Sequence, residues 1–246
     1  AHQFQRNGKC VCEDGYIKDN NGVCVEAEPT LIGETIGQTS FSQILYNDIN
    51  PIVIVNDRPR NVIAIRNTAS RTLTNYNRTI QITNNSHGNV YGLYQSGSDF
   101  SDNGGKIIIN NVGDGNVYAM YADNAGVWDM CNGYSKDGII SISNKGDGDV
   151  YGLFSLQKTS MHNAWGRNGL LEIKNVGNGN VYGIYGIDKV YNIYNTTGTY
   201  NAVIKIENEG TGTAYGLYNP SAEGFVYNRK LAEGQHNTID LVNKGS

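Results

Sequence analysis

The chain has 246 residues and a formal net charge of −4 at pH 7, with 31 Gly, 17 Tyr and only 4 Pro. This length fits one large domain or two smaller ones. The mild negative charge offers no attraction for nucleic acid, and no run of about 18 apolar residues predicts a membrane-spanning helix. We therefore expect neither a nucleic-acid partner nor a membrane span in this chain.

Three of the four cysteines lie near the start of the chain, in CVCEDGYIKDNNGVC at 10–24. This stretch, with its Cys-x-Cys pair, its Gly-Tyr pair and a final Cys, resembles the closing half of an EGF-like module. In that family the last two cysteines pair, which implies a disulfide between Cys12 and Cys24 and leaves the partners of the other two cysteines open. Disulfides are typical of an oxidising, extracellular compartment. We assign residues 1–27 to this partial module.

Residues 28–51 lack both the cysteines before them and the repeats after them. The first coil of a repeat array exposes strand edges, and such edges invite aggregation unless they are covered. We interpret residues 28–51 as an N-terminal cap or linker.

Residues 52–246 repeat one unit, of which ISISNKGDGDVYGLF at 140–154 is an example. The first strand of each unit alternates aliphatic and variable residues, which indicates one buried face and one solvated face. Each first strand ends on an asparagine: Asn56, Asn84, Asn111, Asn144, Asn175, Asn208 and Asn243. Between that asparagine and the second strand the spacing is constant, so all length variation, 27 to 35 residues per unit, falls in the connections.

Two geometries fit this unit: a hairpin that pairs its two strands, or a β-arc in which each strand pairs with its equivalent in the next unit. The β-arc is favoured, because aliphatic residues at fixed positions then stack in columns along a solenoid. The asparagines would stack in the same way and bond the copies above and below. At the corner, glycines such as Gly179 would supply backbone angles with positive φ.

The second strand has the form VYGLY, as in residues 90–94. Its fourth position is always aliphatic or Met, and we predict that it points inward. The tyrosine at the second position would share that face by parity. The third position is only Gly or Ala, which indicates that another element packs closely over it.

These repeats, with their Gly/Asn-rich corners, resemble the passenger regions of bacterial autotransporter and related adhesin proteins, which are extracellular parallel β-helices. The resemblance covers residues 52–246. We predict an all-β chain: a right-handed parallel β-helix (β-solenoid) of about six to seven coils with a small disulfide-bonded N-terminal segment. The chain stops half a unit into its last coil, so either it continues or another molecule completes the coil, by head-to-tail stacking into a filament.

The connections carry the candidate binding residues. Exposed aromatic side chains can stack on sugar rings or anchor a protein partner, and the alternative is that each connection adds a third strand or packed loop to its coil. The candidates are Trp128, Tyr134, Trp165, Tyr191, Tyr194, Phe225 and Tyr227.

Acidic residues offer two further hypotheses. Asp114 and Asp147 occupy the same repeat position, with Asp149 nearby. Stacked carboxylates could bind Ca²⁺ or act as acid and base of a pectinase-like glycosidase. Other copies have His, Asn or Thr there, as expected of a solvated turn, so we expect no cofactor, with Ca²⁺ as the exception to test.

The sequence therefore favours a non-enzymatic, extracellular scaffold: a surface stalk, adhesin or fibre subunit. Its partners would be further copies of itself, or a glycan or protein on a host or cell surface. A carbohydrate-active enzyme on the same fold and a calcium-dependent binding module are the alternatives.

Overall fold

A computed structural model describes residues 3–6, 9–12, 16–18, 23–26, 30–36, 43–44, 51–68, 73–75, 77–96, 101–123, 127–134, 136–193, 200–228 and 235–245. Side chains are described for residues 23 and 24 and, from residue 51 onward, for all of these residues except 73, 101 and 102. Tyr194 therefore lies outside the described residues.

Two short antiparallel hairpins occupy the start of the chain. Strand β1 (Gln3–Arg6) pairs with β2 (Lys9–Cys12), and β3 (Tyr16–Lys18) pairs with β4 (Cys24–Glu26). Cys24 is buried, whereas the side chain of Cys12 is outside the described set. The Cys12–Cys24 disulfide and the disulfide-bonded character of this segment stay predictions.

The remaining strands form three parallel sheets of seven strands each. Sheet 1 contains the first strands of the repeat: β7 (Ile52–Asn56), β10 (Thr79–Asn84), β13 (Lys106–Asn111), β16 (Gly138–Asn144), β19 (Gly169–Asn175), β22 (Asn201–Asn208) and β25 (His236–Asn243). Sheet 2 contains the second strands: β5 (Thr30–Ile36), β8 (Val62–Asn67), β11 (Val90–Gln95), β14 (Val117–Ala122), β17 (Val150–Ser155), β20 (Val181–Gly186) and β23 (Ala214–Tyr218). Sheet 3 is built from the connections: β6 (Gln43–Ile44), β9 (Leu73–Thr74), β12 (Ser101–Asp102), β15 (Asp129–Cys131), β18 (Ser160–Ala164), β21 (Lys189–Ile193) and β24 (Phe225–Tyr227).

Every strand of sheet 1 pairs with its equivalent in the next coil, not with the second strand of its own unit. Asn111 aligns with Asn144, and Ile109 with Ile142. The prediction of an all-β parallel β-solenoid is thereby confirmed and the hairpin alternative is wrong. The right-handed winding stays a prediction.

The connections contribute a third strand to each coil, which is the alternative that the sequence left open for their aromatic residues. Residues 28–51 take part as well, because β5 and β6 lie at the ends of sheets 2 and 3. We call the bend from sheet 1 to sheet 2 the first corner and the bend from sheet 3 to sheet 1 the third corner.

The core is a set of aliphatic columns that run along the axis. Alternate residues of sheet 1 are buried, as in the first strand of the repeat array, where Ile52 and Ile54 point inward. Sheet 3 adds Met130, Met161 and Val190 to the same cluster. Because like residues stack on like, each coil buries its apolar side chains against the coils on both sides.

The parity prediction for the second strand is wrong. Val90 and Leu93 belong to the inner core, whereas Tyr91 and Tyr94 belong to a separate outer cluster. The regular alternation breaks at the third position, where the buried Gly92 sits between Tyr91 and Leu93. This break lets both tyrosines of the motif face outward.

The close packing predicted over the third position comes from sheet 1 and from the backbone of the next sheet 2 strand. A Cβ added to Gly92 would lie 2.8 Å from Cγ2 of Ile107, and one added to Gly152 would lie 2.3 Å from Cδ1 of Leu171. Ile107 and Leu171 are inward residues of the following sheet 1 strand. A Cβ on Gly92 would also lie 2.6 Å from the carbonyl oxygen of Ala119, so both the aliphatic columns across the core and the adjacent strand favour a small third residue.

The outward tyrosines of sheet 2 form two stacked aromatic columns. In the first, the rings of Tyr91, Tyr118, Tyr151, Tyr182 and Tyr215 have centroids 4.9–5.2 Å apart and planes within 7° of parallel. The second column contains Tyr94, Tyr121, Phe154, Tyr185 and Tyr218. Each stacked pair adds about 0.5–1.5 kcal/mol beyond its area burial, so these columns brace the outside of sheet 2.

Candidate functional site

The first corner is held by a column of asparagine side chains. In each of six steps, Nδ2 of one asparagine donates to Oδ1 of its equivalent in the next coil, over 2.7–2.9 Å from Asn56 to Asn243. Nδ2 also donates to a carbonyl of its own turn, as from Asn144 to Gly146 at 2.7 Å. From Asn56 to Asn208 these amides are buried and are paired twice or more, which makes the column structural.

The glycines of the first corner are required for a reason other than the one predicted. Among the described glycines, positive φ occurs at Gly88 alone, with φ 117°. A Cβ on Gly177 would instead lie 1.7 Å from the carbonyl oxygen of Gly146, and one on Gly179 would lie 2.2 Å from that of Gly148. The turns stack so closely that a side chain would collide with the coil before it.

The acidic residues of this corner are engaged with the coil that follows. Oδ1 of Asp147 accepts hydrogen bonds from the backbone N and the Nδ2 of Asn178, at 3.0 and 2.9 Å. Asp149 accepts from the backbone N of Asn180 at 2.7 Å and from the hydroxyl of Tyr151 at 3.1 Å. Within the described part of the chain, no group of three or more His, Cys, Asp or Glu is arranged to hold a metal ion.

A second asparagine column runs through the third corner, and the sequence analysis missed it. Its five steps measure 2.8–3.0 Å and join Asn75, Asn103, Asn132, Asn163, Asn192 and Asn228. These asparagines lie at no constant distance from the preceding sheet 2 strand or from the following sheet 1 strand. The constant spacing that identified the first column is therefore missing here, and only the strand pairing of sheet 3 aligns these asparagines.

Beside this column, the outer face of sheet 3 carries a continuous row of aromatic rings, which we call the aromatic row. His162, Tyr191 and Tyr227 share one register position in three successive coils. Their rings stack with centroids 4.9 and 4.8 Å apart and planes at 18° and 7°. Three further rings contact this stack. The ring centroid of Trp165 lies 4.9 Å from that of His162, that of Tyr134 lies 5.4 Å from that of Trp165, and that of Phe225 lies 6.0 Å from that of Tyr227.

The aromatic row contains five of the seven predicted binding aromatics. Trp128 is 74% exposed, and no ring contact joins it to the row among the described residues. Tyr134 and Phe225 are also exposed, at 43% and 51%. Sequence reasoning missed His162, because an isolated histidine gave no sign that it stacks on Tyr191.

His162 is the buried member of the row and is 1% exposed. Its Nε2 lies 3.3 Å from Oδ1 of Asp129. Burial lowers the pKa of His162 and outweighs the opposing effect of Asp129. The neutral imidazole therefore fills the row as a flat ring between Trp165 and Tyr191.

A group of carboxylates from neighbouring coils lines one hollow on the outer face of sheet 1, which is the arrangement that the enzyme hypothesis requires. Glu172, Glu207 and Asp240, from three successive coils, border an open hollow of about 490 Å³ together with lysines. Nζ of Lys205 lies 3.0 Å from Oε1 of Glu172. Lys244 donates to Glu207, and this contact lowers the pKa of that carboxyl.

Within the described residues, no helix is both long and apolar enough to cross a membrane. Comparisons with protein-family models, with curated proteins and with solved structures found no match.

Proposed function

We propose that this chain is a non-enzymatic, extracellular β-solenoid, a surface stalk, adhesin or fibre subunit, whose aromatic row binds a cell-surface glycan. The observation that carries the proposal is the convergence of aromatic residues from four successive coils into one row. Aromatic side chains are enriched at binding hot spots, because they offer large contact area at low entropic cost. The right-handed winding, the N-terminal disulfide and the head-to-tail stacking belong to the same proposal.

The rigid coils supply what a binding row needs. Side chains built on paired strands hold their positions better than side chains on loops, and Tyr191 and Tyr227 lie in strands β21 and β24. Tyr134 and Phe225 stand at the edge of the row with exposed rings. A sugar chain that follows the axis would meet one aromatic residue per coil.

The test is a binding titration of neutral and acidic oligosaccharides with Trp165→Ala and Trp128→Ala. Trp128 is the matched control, since it is the same residue type but makes no ring contact with the row. We expect Trp165→Ala to weaken binding at least tenfold and Trp128→Ala to leave it unchanged. Equal losses, or wild-type protein that binds a protein partner but no sugar, would overturn the glycan proposal. Tyr134→Ala provides a second variant if Trp165→Ala lowers the melting temperature.

A carbohydrate-active enzyme remains the second candidate, favoured by the three carboxylates that border one hollow on sheet 1. Glycosidases need one carboxyl with a raised pKa to act as the acid, whereas the pKa of Glu207 is lowered. Incubation with polysaccharides should therefore release no products. Product release that disappears in Glu172→Gln would replace the scaffold proposal with the enzyme.

Calcium is not required in the proposed scaffold, because Asp147 already accepts hydrogen bonds from the next coil. A chelator should leave the melting temperature unchanged. A fall on chelation that calcium reverses would instead support the calcium-dependent module.

A further inference from the structure

The third-corner loops differ in length between neighbouring coils, and this difference leaves a hollow. Three residues separate Asn75 from the next sheet 1 strand and two separate Asn103 from it, whereas five residues follow Asn132 and five follow Asn163. In neighbouring coils the longer loops after Asn132 and Asn163 therefore extend past the shorter loops after Asn75 and Asn103. The resulting open hollow has a volume of about 420 Å³ and is lined by Asn77, Gly104, Lys136, Asp137 and Arg167.

The two longer loops present the same pattern of residues. Tyr134 and Lys136 lie in one loop and Trp165 and Arg167 in the next, so each loop has an aromatic residue followed two positions later by a cation. The loops are tied together, because the carbonyl oxygen of Gly133 accepts from the backbone N of residues 165, 166 and 167 at 2.9–3.3 Å. Lys136 and Arg167 hold the same position in loops of neighbouring coils, whose backbones are about 4.8 Å apart, and both line the hollow.

The lining has a net formal charge of +1, from Lys136 and Arg167 against Asp137. Asp137 is already engaged: its Oδ1 accepts from the backbone N and the Nδ2 of Asn168, both at 3.1 Å. Arg167 is exposed, and its guanidinium carbon lies 5.7 Å from the centre of the Tyr200 ring. An arginine fork beside a lysine matches the geometry of a carboxylate or a sulfate.

We propose that this hollow binds an oxyanion, a carboxylate or a sulfate, on a glycan whose sugar rings lie against the aromatic row. The inference rests on the proposed glycan binding and adds its chemical class: the preferred ligand is an acidic oligosaccharide. Aromatic contacts supply affinity for sugars of any charge, whereas Lys136 and Arg167 select for the acidic ones.

The test compares three sugar probes on the full chain: maltohexaose, sulfated maltohexaose and a galacturonate hexamer. We expect at least one acidic probe to bind tenfold or more tightly than maltohexaose at low salt, and the preference to fall as sodium chloride is added. The probe that shows the preference identifies the oxyanion as sulfate or carboxylate. Inorganic sulfate should compete weakly. Competition as strong as that of the sulfated sugar would overturn the glycan part of the inference.

The double variant Lys136→Ala/Arg167→Ala should lose at least tenfold in affinity for the acidic probe and keep its affinity for maltohexaose. Lys145→Ala, which removes an exposed cation near the first corner, is the matched control and should change neither. Arg167→Lys should retain part of the preference. If the double variant melts early, Arg167→Lys and Lys136→Gln are measured singly against the same control.

The two proposals fail in different ways. If Trp165→Ala weakens all sugars but the double variant weakens none, glycan binding stands and the oxyanion site is overturned. If wild-type protein prefers neither acidic sugar over maltohexaose, the oxyanion site is also overturned. If no sugar binds wild-type protein, the glycan-binding proposal itself is wrong.

Discussion

Both the first and the third corners carry a buried asparagine column, yet only the first corner keeps one loop length in every coil. At the first corner the asparagine steps measure 2.7–2.9 Å, and at the third corner they measure 2.8–3.0 Å. The amide bonding is therefore nearly the same. The difference lies in the residues between the asparagine and the next strand.

At the first corner those residues stack on the equivalent residues of the previous coil. An added Cβ at Gly146 would lie 1.8 Å from the carbonyl oxygen of Gly113, so neither a side chain nor an extra residue fits. At the third corner the stacking varies along the longer loops: a Cβ on Gly133 would lie 2.3 Å from the carbonyl oxygen of Asn168, whereas one on Gly166 would meet only one atom closer than 3 Å, the carbonyl oxygen of Tyr134 at 2.7 Å. An asparagine column fixes the corner in either case, and loop length varies at the corner where the stacking is less uniform.

The largest effect that this comparison predicts is from a side chain in the first corner. Gly179→Val should cost about 3 kcal/mol or more, because the new Cβ would lie 2.2 Å from the carbonyl oxygen of Gly148 and the backbone has to move. Gly166→Ala at the third corner should cost less than half as much. Chemical denaturation of both variants measures the difference, and equal costs would mean that the first corner is no more tightly stacked.

Removing one asparagine from either column should have the next largest effect. Asn144→Ala and Asn132→Ala each remove buried amide hydrogen bonds in both directions along the axis. We expect both to cost about 2–4 kcal/mol, because partners in the neighbouring coils lose their bonds. Asn110→Ala, at an exposed position beside the first column, should stay within about 0.5 kcal/mol. If Asn132→Ala lowers the free energy of unfolding by less than Asn110→Ala does, the third-corner column is not structural.

Alkaline pH should loosen the first-corner side of the coil before the third corner. Burial, and then the charge of Asp149, raises the pKa of Tyr182 to about 12. An unfolded tyrosine ionises near pH 10, so the folded state favours the neutral form and its stability falls as pH rises from 10 to 12. We expect the melting temperature to fall across that window.

Two signals locate this alkaline effect. Tyrosinate absorbance reports the tyrosine columns, while the fluorescence of Trp165 in the Trp128→Phe background reports the third-corner loops. If the tryptophan fluorescence changes at a lower pH than the tyrosinate absorbance, the third corner is the less stable of the two and the expected order is wrong.

The smallest effect should come from shortening a third-corner loop. Replacing residues 165–168 by the two glycines that occupy 104–105 should cost about 1–2 kcal/mol, less than the loss of a column asparagine, because it removes the ring contacts of Trp165 and the backbone hydrogen bonds to Gly133 but leaves both asparagine columns in place. The same variant should lose the affinity for acidic sugars. A single-residue insertion after Lys145 at the first corner is the comparison, and we expect it to be far more costly.

The sequence predicted the parts of the fold that repeat at a fixed spacing. Aliphatic residues at alternate positions and an asparagine at a constant distance from VYGLY identify sheets 1 and 2 and the first-corner column. The third-corner column escaped, because Asn132 and Asn163 lie in connections of variable length. The outward tyrosines were misplaced, because parity assumes an unbroken strand and the strand breaks its alternation at Gly92. The five predicted aromatics of the row were named from their place in the connections, but nothing in the sequence indicated that His162 would join them.

By itself the sequence determined that this chain stacks like on like, because a period near 30 residues with fixed apolar positions can bury its core only against further copies of the same unit. Tertiary structure alone decided which residues of the variable connections meet. Their alignment follows from backbone pairing in sheet 3 and not from spacing along the chain. The aromatic row, and beside it the hollow lined by Lys136 and Arg167, form only because backbone pairing holds coils of unequal length in one register.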